Sequence, residues 1–264
     1  MYNTVQKIPL GGGLATTLVS ALPTSPTNIV VDSTSAYFSD PPDLTNTTAG
    51  ALMKVPLAGG ALVTLVATQS VATAPRAVAV DATSVYWTTL GDPNTSVPST
   101  VMSVPIGGGT PTTLVSSTQT QIVDVAVDST SAYFSADNTT ASGGAIMKVP
   151  VGGGTPVTLA ATQAAPLRLV VDSNAVYWVG LDGTIMKVDL GGGAPVTLAP
   201  SPNIPADIRS DGSFVYWTTS AGVVKVSVTG GNSTLVANVG GLTLAVDDTS
   251  VYWASGTSVL KAPK

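Results

Sequence analysis

One sequence unit recurs six times along the chain, and this repetition constrains the fold more than any other feature. Each copy has an apolar run ending in aspartate, four intervening residues, then tyrosine and a second aromatic residue. The six pairs are Asp32/Tyr37, Asp81/Tyr86, Asp128/Tyr133, Asp172/Tyr177, Asp211/Tyr216 and Asp247/Tyr252, and successive tyrosines lie 49, 47, 44, 39 and 36 residues apart. Such periods are typical of stacked units that bury a common core.

Each repeat divides into four short segments rich in Val, Ile, Thr and aromatic residues, which predict β-strands. In the second copy these are Arg76–Val80, Val85–Thr89, Val101–Ile106 and Thr110–Val115. A glycine-rich link such as Gly107–Gly109 joins the third and fourth segments and predicts a tight hairpin. No segment keeps a 3.6-residue apolar period. The sequence therefore predicts an all-β, six-bladed β-propeller with four antiparallel strands per blade, a single domain over residues 1–264.

A closed ring would need one blade that mixes strands from both ends of the chain. The N-terminus supplies third-type and fourth-type strands, Val5–Pro9 and Ala15–Val19, and the C-terminus supplies first, second and third strands. We expect Ala15–Val19 as the outer strand of this blade and favour Ser258–Lys261 over Val5–Pro9 as its third. The start in mid-repeat suggests a piece of a larger protein, and no signal peptide is recognisable at this start.

Composition limits the chemistry that this chain can perform. All 15 acidic residues are Asp, and the 264 residues include no Glu, His or Cys. This leaves no imidazole base, no Ser-His or Cys-His pair and no His/Cys zinc site. A net charge of −5 disfavours nucleic acid, and no apolar run is long enough to insert into a membrane. Few charges with many Thr, Ser and Asn favour an extracellular or periplasmic bacterial protein, which we expect to be a monomer.

The repeat resembles a known family. PRAVAVD followed by VYWTT is similar to the YWTD repeat of low-density-lipoprotein-receptor-type propellers, which are six-bladed, and also to TolB-like and NHL-like bacterial propellers. Tyr37-Phe38-Ser39-Asp40 keeps the fourth-position Asp, whereas the other repeats depart from it. The resemblance implies the same fold and a recognition role rather than catalysis.

Polar side chains in the predicted innermost strands suggest a binding site at the mouth of a central channel. Four residues before each repeated Asp stand Asn28, Ala77, Asp124, Arg168, Asp207 and Thr243, and Arg209 stands two residues before Asp211. The candidate ligand-binding residues are therefore Asn28, Asp124, Arg168, Asp207, Arg209 and Thr243. They form either a charge-balanced ring that keeps the channel solvated or a site for a polar ligand or cation. No cofactor is expected, although oxygen ligands would suit Ca²⁺.

A second candidate surface is the face that carries the loops between second and third strands. These loops are long in the first three repeats and short in the others, and loops on a rigid scaffold commonly carry recognition. The candidate residues there are Asp40, Asp43, Asp92, Asn94, Asp137 and Asn138. The alternative is that these insertions are solvated and have no role.

Two further positions recur in the repeats. The aromatic residues after each tyrosine are expected to pack between blades, and they are Phe38, Trp87, Phe134, Trp178, Trp217 and Trp253. The lysines of the third strands are expected to form a solvated outer ring, and they are Lys54, Lys148, Lys187 and Lys225.

Three functions remain open from the sequence. The first is a non-catalytic recognition module that binds an unknown protein, glycan or small polar ligand. The second is a structural repeat domain of a larger surface or secreted protein. The third is a metal-assisted hydrolase or lactonase, for which only Asp, Lys and Tyr would be available as acids and bases.

Overall fold

The computed structural model describes residues 3–41, 50–68, 70–92, 94–137, 143–201 and 203–264. Its regular elements in these ranges are all β-strands, numbered β1 to β25, and no helix occurs in them. The chain divides into two compact units, Met1–Ala132 with Pro150–Gly154, and Tyr133–Val149 with Thr155–Lys264. That residues 1–264 form one domain stays a prediction.

The N-terminal unit contains the first two repeats. A two-stranded sheet comes first, with strands β1 (Val5–Lys7) and β2 (Thr16–Val19). The first four-stranded sheet is β3 (Asn28–Val31), β4 (Ser35–Asp40), β5 (Ala51–Pro56) and β6 (Val63–Ala67). The second is β7 (Val78–Val80), β8 (Ser84–Thr89), β9 (Ser99–Pro105) and β10 (Thr112–Ser117).

The third repeat forms a sheet of β11 (Gln121–Val127), β12 (Ser131–Asp137), β13 (Gly144–Pro150) and β14 (Val157–Gln163). The C-terminal unit holds the last three repeats. Its four-stranded sheets are β15 (Pro166–Val171), β16 (Ala175–Gly180), β17 (Thr184–Asp189) and β18 (Val196–Pro200), then β19 (Asp207–Ser210), β20 (Phe214–Thr218), β21 (Val223–Ser227) and β22 (Thr234–Ala237). A three-stranded sheet of β23 (Thr243–Val246), β24 (Ser250–Ser255) and β25 (Ser258–Pro263) ends the chain. The predicted repeat of four short antiparallel strands is confirmed.

Strand pairing at the two ends of the chain refines one expectation. Ser258–Pro263 pairs with Ser250–Ser255, which confirms the C-terminal choice for the third strand of that sheet. Thr16–Val19, expected as its outer strand, pairs with Val5–Lys7 instead. The physical reason is that a hairpin between neighbouring segments closes a shorter loop than a pairing between the two chain ends.

Glycine turns and aromatic packing explain why each repeat folds this way. The Gly153 amide donates to the Pro150 carbonyl across the hairpin, and Gly153 has a φ of +87°, a conformation that glycine adopts without strain. Tyr37 of the first sheet belongs to the same buried cluster as Trp87 of the second, and Tyr177 shares a cluster with Trp217. The predicted packing of aromatic residues between neighbouring sheets is confirmed.

Candidate functional site

The repeated aspartates organise the turn between the first and second strands. Oδ1 of Asp32 accepts hydrogen bonds from the amides of Thr34 (2.6 Å) and Ser35 (2.8 Å), and Oδ2 accepts one from the Tyr37 hydroxyl (2.8 Å). The same arrangement recurs around Asp81, Asp211 and Asp247. Each of these carboxylates therefore accepts hydrogen bonds from the turn and from the tyrosine of the following strand, and so fixes the turn relative to that strand.

This hydrogen bonding sets the acidity of both partners. Burial alone would raise the pKa of Asp32, but the hydrogen bonds from Thr34, Tyr37 and Ser35 outweigh it and lower the pKa to about 2. Burial, followed by the hydrogen bond to the Asp32 carboxylate, raises the pKa of Tyr37 to about 12. Such groups hold their protonation states at neutral pH and are poor proton-transfer catalysts.

Asp207, a predicted mouth residue, joins two inner strands of the C-terminal unit. Its side chain is buried at the start of β19. Oδ2 accepts a hydrogen bond from the Leu244 amide on β23 (2.8 Å), and Oδ1 accepts from the Ile208 amide (2.9 Å) and from Arg209 Nη1 (2.7 Å). Both oxygens are thus committed to contacts within the protein, and Arg209 is neutralised by the carboxylate beside it.

Arg168 differs from the other predicted mouth residues. It is half-buried on β15 and stands four residues before Asp172. Asp207 on β19 occupies the equivalent position, four residues before Asp211. Within the described ranges its guanidinium makes no hydrogen bond and no ion pair. Strands β15 and β19 pack against each other, as do β19 and β23, where Thr243 is exposed at the first position. The structure therefore places Arg168, Asp207 and Thr243 at equivalent positions on three neighbouring strands.

The two remaining mouth residues belong to the N-terminal unit. Asn28 is half-buried at the first position of β3 and lies opposite Ser39 of β4. Asp124 is buried on β11, and its Oδ1 accepts a hydrogen bond from the Val125 amide (3.0 Å). Asp124 thus repeats the contact that Asp207 makes with the amide of the following residue.

The long loops hold three described carboxylates and one amide of the predicted set, while Asp43 and Asn138 lie outside the described residues. Asp40 is buried, and its Oδ1 accepts a hydrogen bond from Thr24 Oγ1 (2.5 Å). Burial raises the pKa of Asp40. Asp92 accepts hydrogen bonds from the Asn94 amide and the Thr95 hydroxyl, and Asp137 is half-buried at the end of β12. Asp40 therefore links the end of β4 to the segment that precedes β3, and Asp92 stabilises its own loop.

Two of the four repeated lysines, Lys54 and Lys148, contact a neighbouring sheet, which corrects the expectation of a solvated ring for these two. Lys54 on β5 donates to the Ile106 carbonyl of the second sheet (3.0 Å), and its Nζ lies 5.3 Å from the centre of the Tyr37 ring. Lys148 donates in the same way to the Leu190 carbonyl (2.7 Å). A lysine stem can pack along apolar surface while its ammonium reaches a polar group, so these side chains serve as links between sheets.

A cavity of 590 Å³ lies in the C-terminal unit, between the sheet of the fifth repeat (β19–β22) and the sheet of the sixth repeat (β23–β25). These are called the fifth and sixth sheets below. Lys264 enters it and donates to Asp211 Oδ2 (2.8 Å), and Lys225 Nζ lies 4.7 Å from the centre of the Phe214 ring. Burial would raise the pKa of Asp211, but the contact with Lys264 and the turn amides lower it to about 2. The cavity is broadly open to solvent.

Nowhere in the described ranges do three or more carboxylates come close enough to hold a metal ion together. No helix in them has the length and apolar character needed to cross a bilayer.

Comparison with known proteins identifies the fold. An oligogalacturonate lyase in complex with manganese superposes with a TM-score of 0.74 at 13% identity, covering 98% of this chain and 82% of that one. The nidogen/laminin complex gives 0.63 at 16% identity over 81% of this chain and 86% of that one, and TolB from Acinetobacter baumannii gives 0.60 at 13% over 99% and 59%. The chain has the six-bladed β-propeller fold. No protein-family model and no curated protein matches the sequence.

The propeller repeat explains which site residues the sequence could reveal. Aligning the repeats on aspartate located Arg168 and Asp207, because equivalent strands carry equivalent positions. The cavity beside Lys264 was missed, because it is lined by residues from two repeats that are 36 residues apart. A signal was nevertheless present in the sequence, since several cavity residues break the repeat pattern.

Proposed function

We propose that this propeller is a non-catalytic recognition module that binds a carboxylate-bearing ligand beside Arg168. The observation that carries the proposal is the contrast between this guanidinium, which has no anionic partner in the described ranges, and Arg209, which is paired with Asp207. An arginine can bind a carboxylate through two parallel hydrogen bonds, which gives both affinity and orientation. The exposed Thr243 and the neighbouring strands would supply further polar contacts.

A recognition role also agrees with how the carboxylates are used. The repeated aspartates and Asp207 accept hydrogen bonds from turns, tyrosines and neighbouring strands, so none of them is poised to accept a proton from a substrate. A hydrolase or lactonase would need such a base or a metal-bound water. The fold itself suits an interaction module, and a solved propeller of similar structure is named as a complex of nidogen with laminin.

An acidic oligosaccharide is the first ligand to test. One of the similar propellers is a lyase named for oligogalacturonate, whose sugar units each carry a carboxylate. We expect oligogalacturonate to bind the purified protein in a calorimetric titration, while a neutral galactose oligomer of the same length binds much more weakly. Arg168→Met should reduce the affinity at least about tenfold, which corresponds to the loss of one strong contact.

The control is Arg76→Met, which changes an arginine two residues before β7 whose guanidinium likewise has no partner among the described residues. It should leave the affinity unchanged. Equal affinities for the wild type and Arg168→Met would overturn the assigned site. Depolymerisation of the saccharide by the wild type, abolished in Arg168→Met, would overturn the non-catalytic role.

We also propose an extracytoplasmic location, motivated by the low charge and the abundance of Thr, Ser and Asn. Fractionation of the native cells with an antibody against the protein tests this. Recovery in the cytoplasmic fraction alone would refute it.

A further inference from the structure

The residues that break the repeat pattern converge on the cavity between the fifth and sixth sheets. Ser210 stands where the five other repeats have Val31, Val80, Val127, Val171 and Val246. Phe214 stands where they have Ser35, Ser84, Ser131, Ala175 and Ser250. Asp248 stands where they have Ser33, Ala82, Ser129, Ser173 and Gly212. All three exceptional residues line the same cavity.

Lys264 is the fourth exception. Its amide donates to the Thr249 carbonyl, which is the contact made elsewhere by the amides of Leu57, Ile106, Val151, Leu190 and Val228. In those repeats the residue is aliphatic, and Leu57, Ile106 and Val228 pack against buried clusters. With lysine at this position, the apolar packing of the other repeats is lost and a charged group lines the cavity instead. Packing between sheets alone does not explain the change, because the same position favours an aliphatic side chain five times.

The charges of the cavity leave two groups without partners. Lys264 is neutralised by Asp211 at 2.8 Å, and both oxygens of Asp247 accept hydrogen bonds from its own turn and from Tyr252. Lys225 lies over the Phe214 ring and meets no carboxylate in the described part of the chain. Asp248 is exposed and meets no cation there. The cavity thus presents one available ammonium and one available carboxylate.

We propose that this cavity binds a small zwitterion, such as a free amino acid or a short peptide, whose carboxylate contacts Lys225 and whose ammonium contacts Asp248. The Phe214 ring holds the Lys225 ammonium in place by a cation–π contact, and Ser213 lines the same space, whereas the Ser210 hydroxyl donates to Asp172 Oδ2 (2.9 Å). A ligand with both charges satisfies both side chains, whereas a ligand with one charge leaves the other side chain unpaired. This site is separate from the one proposed beside Arg168.

Titration of the full chain with glycylglycine, followed by amide chemical shifts, tests the proposal. Saturable shifts are expected for residues that line the cavity. N-acetylglycine keeps only the carboxylate and glycinamide keeps only the ammonium, so both should bind at least about tenfold more weakly. Lys225→Met and Asp248→Ser should each reduce the affinity for glycylglycine by a similar factor. Asp248→Ser restores a residue that other repeats carry, so it should fold normally.

Two controls make the outcome specific. Lys187→Met changes the equivalent lysine of the fourth sheet, which faces Asp189 at 3.6 Å outside the cavity, and it should bind glycylglycine like the wild type. Arg168→Met should also bind normally, so failure at one site is distinguishable from failure at the other. Absence of saturable binding, equal binding of a single-charge analogue, or unchanged affinity in Asp248→Ser would each overturn the proposal.

Discussion

At the scale of single residues, the repeated aspartate does most to shape the repeat. One carboxylate accepts hydrogen bonds from two turn amides and from a tyrosine five residues later, so it fixes the turn and positions the second strand. The same geometry recurs in repeats whose loops differ in length, which explains why the sequence keeps Asp and Tyr at constant separation while the distance between repeats shrinks.

We expect Asp32→Ala to lower the free energy of unfolding by about 1 to 3 kcal/mol, because it removes the acceptor of four hydrogen bonds. Urea denaturation followed by tryptophan fluorescence measures this. The matched control is Asp189→Ala, whose side chain is 74% exposed and pairs with Lys187 at 3.6 Å, and which should change stability by no more than about 0.5 kcal/mol. Equal effects of the two changes would contradict the structural role of the turn.

A second residue-scale prediction concerns the tight turn between β16 and β17. Gly183 has a φ of +82°, and a Cβ there would lie 2.5 Å from the Ser201 carbonyl oxygen. Gly183→Ala should therefore destabilise the protein by about 2 kcal/mol or more, from the left-handed backbone and the backbone clash together. Gly152→Ala serves as the comparison, since its Cβ would meet nothing within 4 Å and its φ is not left-handed. Its melting temperature should stay close to that of the wild type.

At the scale of the elements, neighbouring sheets are joined by buried aromatic residues and by lysines. Lys54→Met keeps the apolar stem but loses the hydrogen bond to the Ile106 carbonyl and the contact with the Tyr37 ring. We expect a loss of about 0.5 to 1.5 kcal/mol in unfolding free energy. Lys187→Met changes the same repeat position, where the lysine forms a 3.6 Å ion pair with a carboxylate that is 74% exposed, so its loss should be smaller. A larger loss for Lys187→Met would contradict a linking role for Lys54.

The elements also show how far the sequence could predict the structure. Strand alternation, the Asp-Tyr spacing and the glycine-rich hairpins are local signals, so the four-stranded repeats and the buried positions of Trp87 and Trp217 followed from them. The partners of Lys54 and Asp207 did not, because their acceptors and donors lie 52 and 37 residues away on neighbouring sheets. For the same reason the cavity beside Phe214 became visible only when two sheets were placed together.

At the scale of the whole molecule, composition and hydrogen bonding together set the response to pH. The chain has no His and no Cys, so its side chains offer no ordinary titration between about pH 5 and 9. The pKa values of Asp32 and Asp211 are lowered from 3.8 to about 2, and those of Asp81 and Asp247 are lowered too. The pKa of Tyr37 is raised from 10.0 to about 12, and those of Tyr86, Tyr177 and Tyr216 are also raised.

These shifts predict a stability plateau with a fall on each side. Below about pH 4 the unfolded aspartates bind protons before the folded ones do, so the stability they contribute is lost as the pH falls from 3.8 towards 2. Above pH 10 the unfolded tyrosines release protons before the folded ones do, so stability is lost as the pH rises towards 12. Urea denaturation across the pH range should give a constant unfolding free energy between about pH 5 and 9. Tyr37→Phe should make the alkaline fall shallower, and tyrosinate absorbance should rise at lower pH in the unfolded chain than in the folded one. A change in stability between pH 6 and 8, or a gain above pH 10, would contradict the assignment of these aspartates and tyrosines as the groups that couple folding to pH.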